Sequence, residues 1–364
     1  VNAWDLPAPE AGTVLRPNAA GLSRTELEAL LTTIGEPAWR GKQIFAGLLH
    51  QRWTRWEQFS NLSKSLRQRL VAEVDLAWPA IVQSQGSSDG STKHAFDLRD
   101  GRQVEGVHMP YEDRATLCLS SQVGCAMGCT FCATGQMGIV RNLSAAEIVG
   151  QVVAMLNHHD HPMGRPVNLV FMGMGEPLHN LDHLMTAFAI LTDAEGLAIP
   201  PRRITVSTSG LVNNIDRLGT FPHRPRLALS LNGTTDEHRS RIMPVNRVWG
   251  LEALADSLSR FPLQSGERIT LEYVLLKGVT DSLDDGRRLA AFARRFPSKV
   301  NLIPFNPHEG SGFEPPEEAR VSALCRLLSE ASLPVSVRRS RGQDVAGACG
   351  QLVREGKSRN PKMP

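Results

Sequence analysis

Residues 118–138, CLSSQVGCAMGCTFCATGQMG, hold four of the chain's six cysteines, and how they are spaced decides how the rest of the chain is read. Cys125, Cys129 and Cys132 form C-x3-C-x2-C, and Cys118 ends what reads as a short strand just before them. Thiolates clustered this closely read as metal or cluster ligands before they read as disulfides, because a chain without a secretory segment should stay reduced. A structural zinc site takes four ligands, usually from two C-x2-C pairs, and no second pair follows. Three cysteines on one loop suit three irons of a 4Fe-4S cube and leave the fourth iron open. Offsets of four and three would also put the cysteines on one face of a helix. Gly124, Gly128 and Gly135 favour a loop, being permissive where backbone must curl close to a ligand.

Outward from this loop the chain alternates strand and helix. Ser144-Ala145-Ala146-Glu147 is a capping box that opens a helix to about Met155. Strand-like runs recur at 114–119, 167–172, 203–208, 226–231, 269–275 and 299–304, separated by helical stretches. Six such units are too many and too regular for a helical bundle, so an α/β fold with an open six-unit parallel barrel is expected. In such barrels the reactive site lies at the C-terminal ends of the strands. The cysteine loop follows the first strand there, Gly175 and Glu176 the second, and Asn306 the sixth; Ser207 ends the third, and Ser230, Leu231 and Asn232 the fourth. Taken alone, Gly173–Leu178 reads equally as a strand-to-helix turn, and the lone polar residues as partners for loop backbone.

Upstream, residues 1–20 are rich in Pro, Ala and Gly and are expected to be extended or disordered. Residues 21–78 read as a small helical domain: Ser23-Arg24-Thr25-Glu26 is a capping box that starts a helix carrying Leu27, Leu30 and Leu31, and further helices fall near 38–50 and 63–74. Residues 79–110 read as short strands broken at Gly86–Gly90 and Asp100-Gly101, a β section leading to a core at 111–344. Residues 345–364 carry Cys349 in a flexible, glycine-flanked loop and then a basic tail. Cys325, within the apolar ARVSALCRLLSEA, reads as a small buried hydrophobe.

The formal charge of +3 does not by itself imply nucleic acid, but the distribution says more. Between Trp39 and Glu73, Arg40, Lys42, Arg52, Arg55, Lys64, Arg67 and Arg69 face only Glu57 and Glu73, with Trp39, Trp53 and Trp56 interleaved. Such a patch suits phosphate contact and base stacking, or equally a solvated helix surface over buried tryptophans. Arg338, Arg339 and Arg341 with Arg354, Lys357, Arg359 and Lys362 bracket Cys349 and move the balance toward RNA. No apolar run approaches a membrane span and the N-terminus has no basic-then-apolar leader, so a cytoplasmic protein without membrane contact is expected.

The cysteine triplet followed by Ala133-Thr134-Gly135, Arg141-Asn142-Leu143, Gly173-Met174-Gly175-Glu176-Pro177-Leu178 and Ala348-Cys349-Gly350-Gln351-Leu352 resembles the RlmN family of radical S-adenosylmethionine (SAM) RNA methyltransferases. The motifs fall in that family's order, from about residue 20 to residue 352. The resemblance implies a partial (β/α)6 TIM barrel with an N-terminal RNA-binding domain, working as a monomer with an external one-electron reductant. It implies a 4Fe-4S cluster on Cys125, Cys129 and Cys132, and two SAM molecules per turnover bound by Gly175, Glu176, Ser207, Ser230, Leu231, Asn232 and Asn306. The family often has His where this chain has Asn232, which can hydrogen-bond but offers no imidazole.

The implied substrates are 23S rRNA at the peptidyl-transferase centre and the tRNA adenosine 3′ of the anticodon, methylated at carbon 2. That carbon lies between electron-withdrawing ring nitrogens and is a poor nucleophile, so radical chemistry replaces polar methyl transfer. By resemblance, Cys349 takes a methyl from one SAM, and a 5′-deoxyadenosyl radical from a second removes hydrogen from it. The resulting carbon radical adds to the base. Cys118 then attacks Cys349 to form a disulfide and free the product, with Glu105 or Cys118 accepting the ring proton. Two rivals stand beside this reading. A Cfr-type enzyme would methylate carbon 8 with the same cysteines, and a non-enzymatic RNA-binding protein with a structural metal would leave Cys118 and Cys349 unexplained.

Overall fold

The computed structural model describes residues 16–353. Arg354, Lys357, Arg359 and Lys362 of the basic tail, and residues 1–15 of the expected extended segment, lie outside the described residues. A 3-10 turn at Ala19–Gly21 comes first, with Ala19 and Ala20 buried, so the end of the segment expected to be extended or disordered is packed on the fold. The helix announced by its capping box, α1 (Arg24–Thr33), then starts where the Ser23 hydroxyl accepts from the Glu26 amide and the Glu26 carboxylate accepts from the Ser23 amide at 2.7 Å. Leu27 and Leu31 of α1 are buried beside Ile44, Phe45 and Leu48 of α2 (Arg40–Leu49) and Leu66 and Leu70 of α3 (Lys64–Glu73).

The tryptophans divide between the two readings. Trp56 is buried and its indole N–H donates to the Val74 carbonyl, and Trp53 meets Phe59 edge-on with centroids 4.9 Å apart. Trp39 is 57% exposed, with the Arg40 guanidinium 4.8 Å over its ring. Part of the basic face is internally paired: Arg40 with Glu36 at 3.1 Å, Lys42 with Glu195 at 2.8 Å.

β1 (Ala80–Gly86), β2 (Thr92–Asp97) and β3 (Gln103–Pro110) form an antiparallel meander, and β3 pairs antiparallel with β4 (Ala115–Cys118). The meander is thus hydrogen-bonded onto the main sheet. β5 (Gln122–Gly124) and β6 (Ile139–Asn142) make a separate hairpin, with the short α4 (Ala133–Gln136) between them, before α5 (Ala145–His158). Within the main sheet every pairing from β4 onward is parallel, through β7 (Val167–Phe171), β8 (Ile204–Thr208), β9 (Arg226–Ser230), β10 (Ile269–Leu275), β11 (Ser298–Pro304) and β12 (Val335–Val337). The six expected parallel strands are present within a residue at each end, and β12 adds a seventh. Its three residues are too few for a periodic signal.

Helices cover the outside of the sheet: α6 (Leu181–Thr192), α7 (Val212–Gly219), α8 (Asp236–Ile242), α9 (Leu251–Arg260), α10 (Leu283–Ala293) and α11 (Glu318–Glu330), the last carrying a half-buried Cys325 packed on the core. The sheet runs in one line from β1 to β12, so the barrel is open. A strap after β12 crosses back to the meander: Arg341 donates to the Pro110 carbonyl at 2.7 Å, Gly342 N to Asp89 at 2.8 Å, and the Ser87 hydroxyl to Asp344 at 2.5 Å. Among the described residues no helix is long and apolar enough to cross a membrane.

Candidate active site

The cysteine loop is shaped by close backbone contacts that only glycine allows. Cys125 N donates to the Gly138 carbonyl at 2.8 Å, and Gly124, at φ +76°, would bring a Cβ within 2.0 Å of that same oxygen. A Cβ on Gly135 would meet the Cys129 carbonyl at 2.8 Å. Gly124→Ala is therefore expected to destabilise the protein by more than about 2 kcal/mol and to lower iron retained after reconstitution, as thermal melting and iron analysis would show.

Burial first, then the nearby thiols, push the ionisation of Cys125 and Cys129 far up; burial likewise raises Cys132. Three sequestered sulfurs side by side ionise together only if a cation takes up their charge. The donor set is three sulfurs walling one cavity, which fits a cluster held by three irons.

That cavity sits at the C-terminal ends of the parallel strands. It gathers the three cysteines with Gly175, Glu176, Ser207, Ser230, Asn232 and Asn306, so nearly all the residues expected to hold the cofactor converge. Gly175, at φ +100°, would place a Cβ 2.5 Å from the Gln122 side chain, so the backbone there passes closer than any other residue permits. Glu176 is buried and accepts from the Ser209 amide at 2.7 Å and the Leu178 amide at 3.1 Å; burial raises its ionisation and these bonds oppose the rise. The Ser207 and Ser230 hydroxyls lie 3.1 Å apart.

Other expected residues are differently occupied. Leu231 is wholly buried and does not line the cavity; its carbonyl accepts from Arg239 at 2.9 Å. Asn232, at φ +53°, uses its side-chain oxygen to accept from Val274 N at 2.9 Å. Asn306 donates to the Cys349 carbonyl at 3.1 Å and to Ser340 at 2.9 Å, so it holds the Cys349 loop. That loop, read as flexible from its glycines, is tied further by Ala133 N to the Gly350 carbonyl at 2.8 Å and Gln351 to the Pro307 carbonyl at 2.7 Å.

Three residues at the cavity went unread in the sequence. Glu272 Oε2 is buried on its wall without a hydrogen-bond partner among the described residues, leaving a polar group for a ligand to satisfy, and the Ser209 side chain lies on the same wall beside Glu176. Arg338 bonds the Met172 sulfur at 2.9 Å and lies 3.8 Å from Glu272; its charge is reinforced by Cys349 above all, then by Glu272 and Cys118. Only its place in a basic run was visible.

A second cavity, about 460 Å³, lies in the barrel interior on the other side of Cys349. Arg114, Arg202, Arg203, Arg226, Arg339 and Arg341 line it together with Cys118. Cys349, Met172 and Arg338 line both cavities. Burial, then repulsion from Cys349, pushes the Cys118 thiol up to about 12, with Arg338 opposing. Glu105 lies in neither wall; its carboxylate is buried against Lys93 at 3.3 Å and accepts from Val353 N at 3.1 Å.

Known proteins are similar to this chain in sequence and fold. Residues 119–289 match the family model of the radical SAM superfamily, and residues 17–75 match the ribosomal RNA large subunit methyltransferase N-terminal domain. A Myxococcus xanthus protein named dual-specificity RNA methyltransferase RlmN 2 is 45% identical over 97% of this chain and 94% of its own. The dual-specificity RNA methyltransferase RlmN of Geobacter sulfurreducens is 47% identical over 91% of each chain. The crystal structure of a radical SAM methyltransferase from Sphaerobacter thermophilus superposes with a TM-score of 0.88 at 41% identity, covering 92% of this chain and 99% of that one.

Proposed function

The chain belongs to the RlmN family of radical SAM RNA methyltransferases, and from that membership we propose that it methylates carbon 2 of adenosine in 23S rRNA and in tRNA through a methyl group carried on Cys349. The observation that carries this reading is the position of Cys349, on the wall shared by the cofactor cavity and the arginine-lined cavity. A sulfur there faces a methyl source on one side and a polyanion on the other.

When bound, the cluster and SAM supply the methyl group and the one-electron chemistry that an electron-poor ring carbon demands. Cys125, Cys129 and Cys132 hold the cluster. Glu176 offers its remaining lone pairs to the SAM ammonium beside the close-passing Gly175 backbone, and Ser207, Ser230 and Asn232 line the remaining wall. Leu231 would contribute through its backbone, and Asn306 holds the main chain of Cys349 in register. The arginines of the second cavity draw the phosphates in, aided by Trp39 on the helical domain as an exposed stacking surface.

Release follows at the sulfurs. Once the ring proton has left, the Cys118 thiolate attacks the Cys349 sulfur, and the disulfide forms as the carbon–sulfur bond breaks. The bonding pair stays on the methylene carbon, which takes a proton to become the methyl group, and an external reductant supplies two electrons to return both cysteines to thiols. Cys118 shares the substrate cavity and Glu105 does not, which favours Cys118 as the acceptor of the ring proton, with the Lys93–Glu105 pair as a buried reserve behind it. Action as a monomer without membrane contact completes the reading.

The test is nucleoside analysis of rRNA and tRNA after anaerobic reaction with methyl-labelled SAM. The expected product is 2-methyladenosine in both RNAs; 8-methyladenosine without the 2-methyl isomer would transfer the chain to the carbon-8 reading.

A further inference from the structure

Four histidines meet where the meander packs on the C-terminal end of α5, apart from the cavities just described. His94 stands on β2 and His108 on β3, while His158 ends α5 and His159 follows it. His94 Nε2 lies 2.8 Å from His159 Nε2, and His94 Nδ1 is fixed 2.9 Å from the Ser84 hydroxyl. One ring nitrogen from each of His94, His158 and His159 falls within 4.8 Å of the others. His108 stacks on His159 with centroids 3.7 Å apart and planes 14° from parallel, and its buried Nδ1 has no hydrogen-bond partner among the described residues.

We propose that His94, His158 and His159 form a second metal site, independent of the cysteine cluster, that takes a divalent transition-metal ion such as zinc. Imidazole nitrogens are the preferred donors for such ions, and three of them with a water complete a tetrahedral shell. Ligand nitrogens around tetrahedral zinc stand about 3.3 Å apart, given bonds of about 2.0–2.1 Å, so the two nearest rings are within about half an ångström of a coordinating separation. Ser84 supplies the hydrogen bond that orients a ligand ring from behind, and His108 supports a second by stacking. His158-His159-Asp160-His161 is a short histidine-rich tract, a signal for metal in its own right. The ion ties β2 to the end of α5, the helix that leads away from the cysteine hairpin.

The experiment uses holoenzyme reconstituted anaerobically with iron and sulfide, then equilibrated with zinc in a chelator-buffered solution. One zinc per chain beyond the cluster iron is expected, with X-ray absorption at the zinc edge giving a nitrogen and oxygen shell at about 2.0–2.1 Å and no sulfur near about 2.3 Å. His158 is exposed, so His158→Ala should fold normally while zinc affinity falls at least about tenfold and iron content stays unchanged. His94→Gln should lower zinc affinity in the same way. Sulfur in the zinc shell, zinc affinity unmoved by both substitutions, or no zinc retained would each overturn the site.

Discussion

Cys349→Ala protein is expected to retain its full cluster iron while product formation falls by at least about 10⁴-fold, the scale on which removing a covalent nucleophile acts. The structure separates the two effects. The Cys349 loop is held through main-chain groups, its own carbonyl on Asn306 at 3.1 Å and the Gly350 carbonyl on Ala133 at 2.8 Å, and an alanine keeps both. Neither contact uses the sulfur, so the cysteine loop keeps its neighbour. The direct readout is the mass of the peptide containing residue 349 after incubation with methyl-labelled SAM. Wild-type protein should carry the label and the variant should not; undiminished product from the variant would remove Cys349 from the chemistry.

Cys118→Ala has a different signature, accumulation in place of silence. With the methyl transferred but no thiol to attack Cys349, enzyme should remain covalently joined to RNA and run as a shifted band that survives denaturation. Free turnover by this variant would sink the resolving role. The pH dependence of release has a defined sign. The Cys118 thiol is pushed up to about 12, chiefly by burial and then by Cys349. In the adduct the Cys349 sulfur is a neutral thioether, so burial is what keeps the Cys118 thiol raised. Deprotonation produces the attacking thiolate, and its fraction rises about tenfold per pH unit while the thiol form dominates. Decay of the wild-type adduct in single turnover should therefore quicken from pH 7 to pH 9 until another step limits. A flat profile would mean that the attacking sulfur is deprotonated by a partner within the complex.

Which parts of this were legible in the sequence follows from how local each signal is. The capping boxes at Ser23 and Ser144 are four-residue patterns, and both form as read. The six longer parallel strands announce themselves as apolar runs; the three-residue β12 cannot. The cysteine loop is visible because its spacing and its glycines are adjacent in the chain. The arginine-lined cavity is not, because Arg114, Arg203, Arg226 and Arg339 come from separate β/α units and meet only through strand register. Asn232 and Asn306 line the cofactor cavity, and their amides also hold Val274 and the Cys349 loop, as the reading of lone polar residues as partners for loop backbone expects. Trp53 and Trp56 sat in a basic stretch but turn inward because the small helical domain needs their bulk. The histidine cluster escaped because His94 and His158 are brought together by packing of the meander on α5.

The strap that crosses the open side of the barrel has a consequence for when this protein becomes reactive. Its anchor joins Ser87 to Asp344, 257 positions apart, and the sulfur of Cys349 lies five residues beyond that anchor. Closing a loop of that size is entropically unfavourable until the intervening strands have already paired. The cysteine triplet, local in the chain, is available early in synthesis and folding, whereas the methyl-carrying thiol reaches it only after the whole sheet has assembled. A growing or partly folded chain thus keeps its reactive sulfurs apart, and the completed fold itself acts as the arming step.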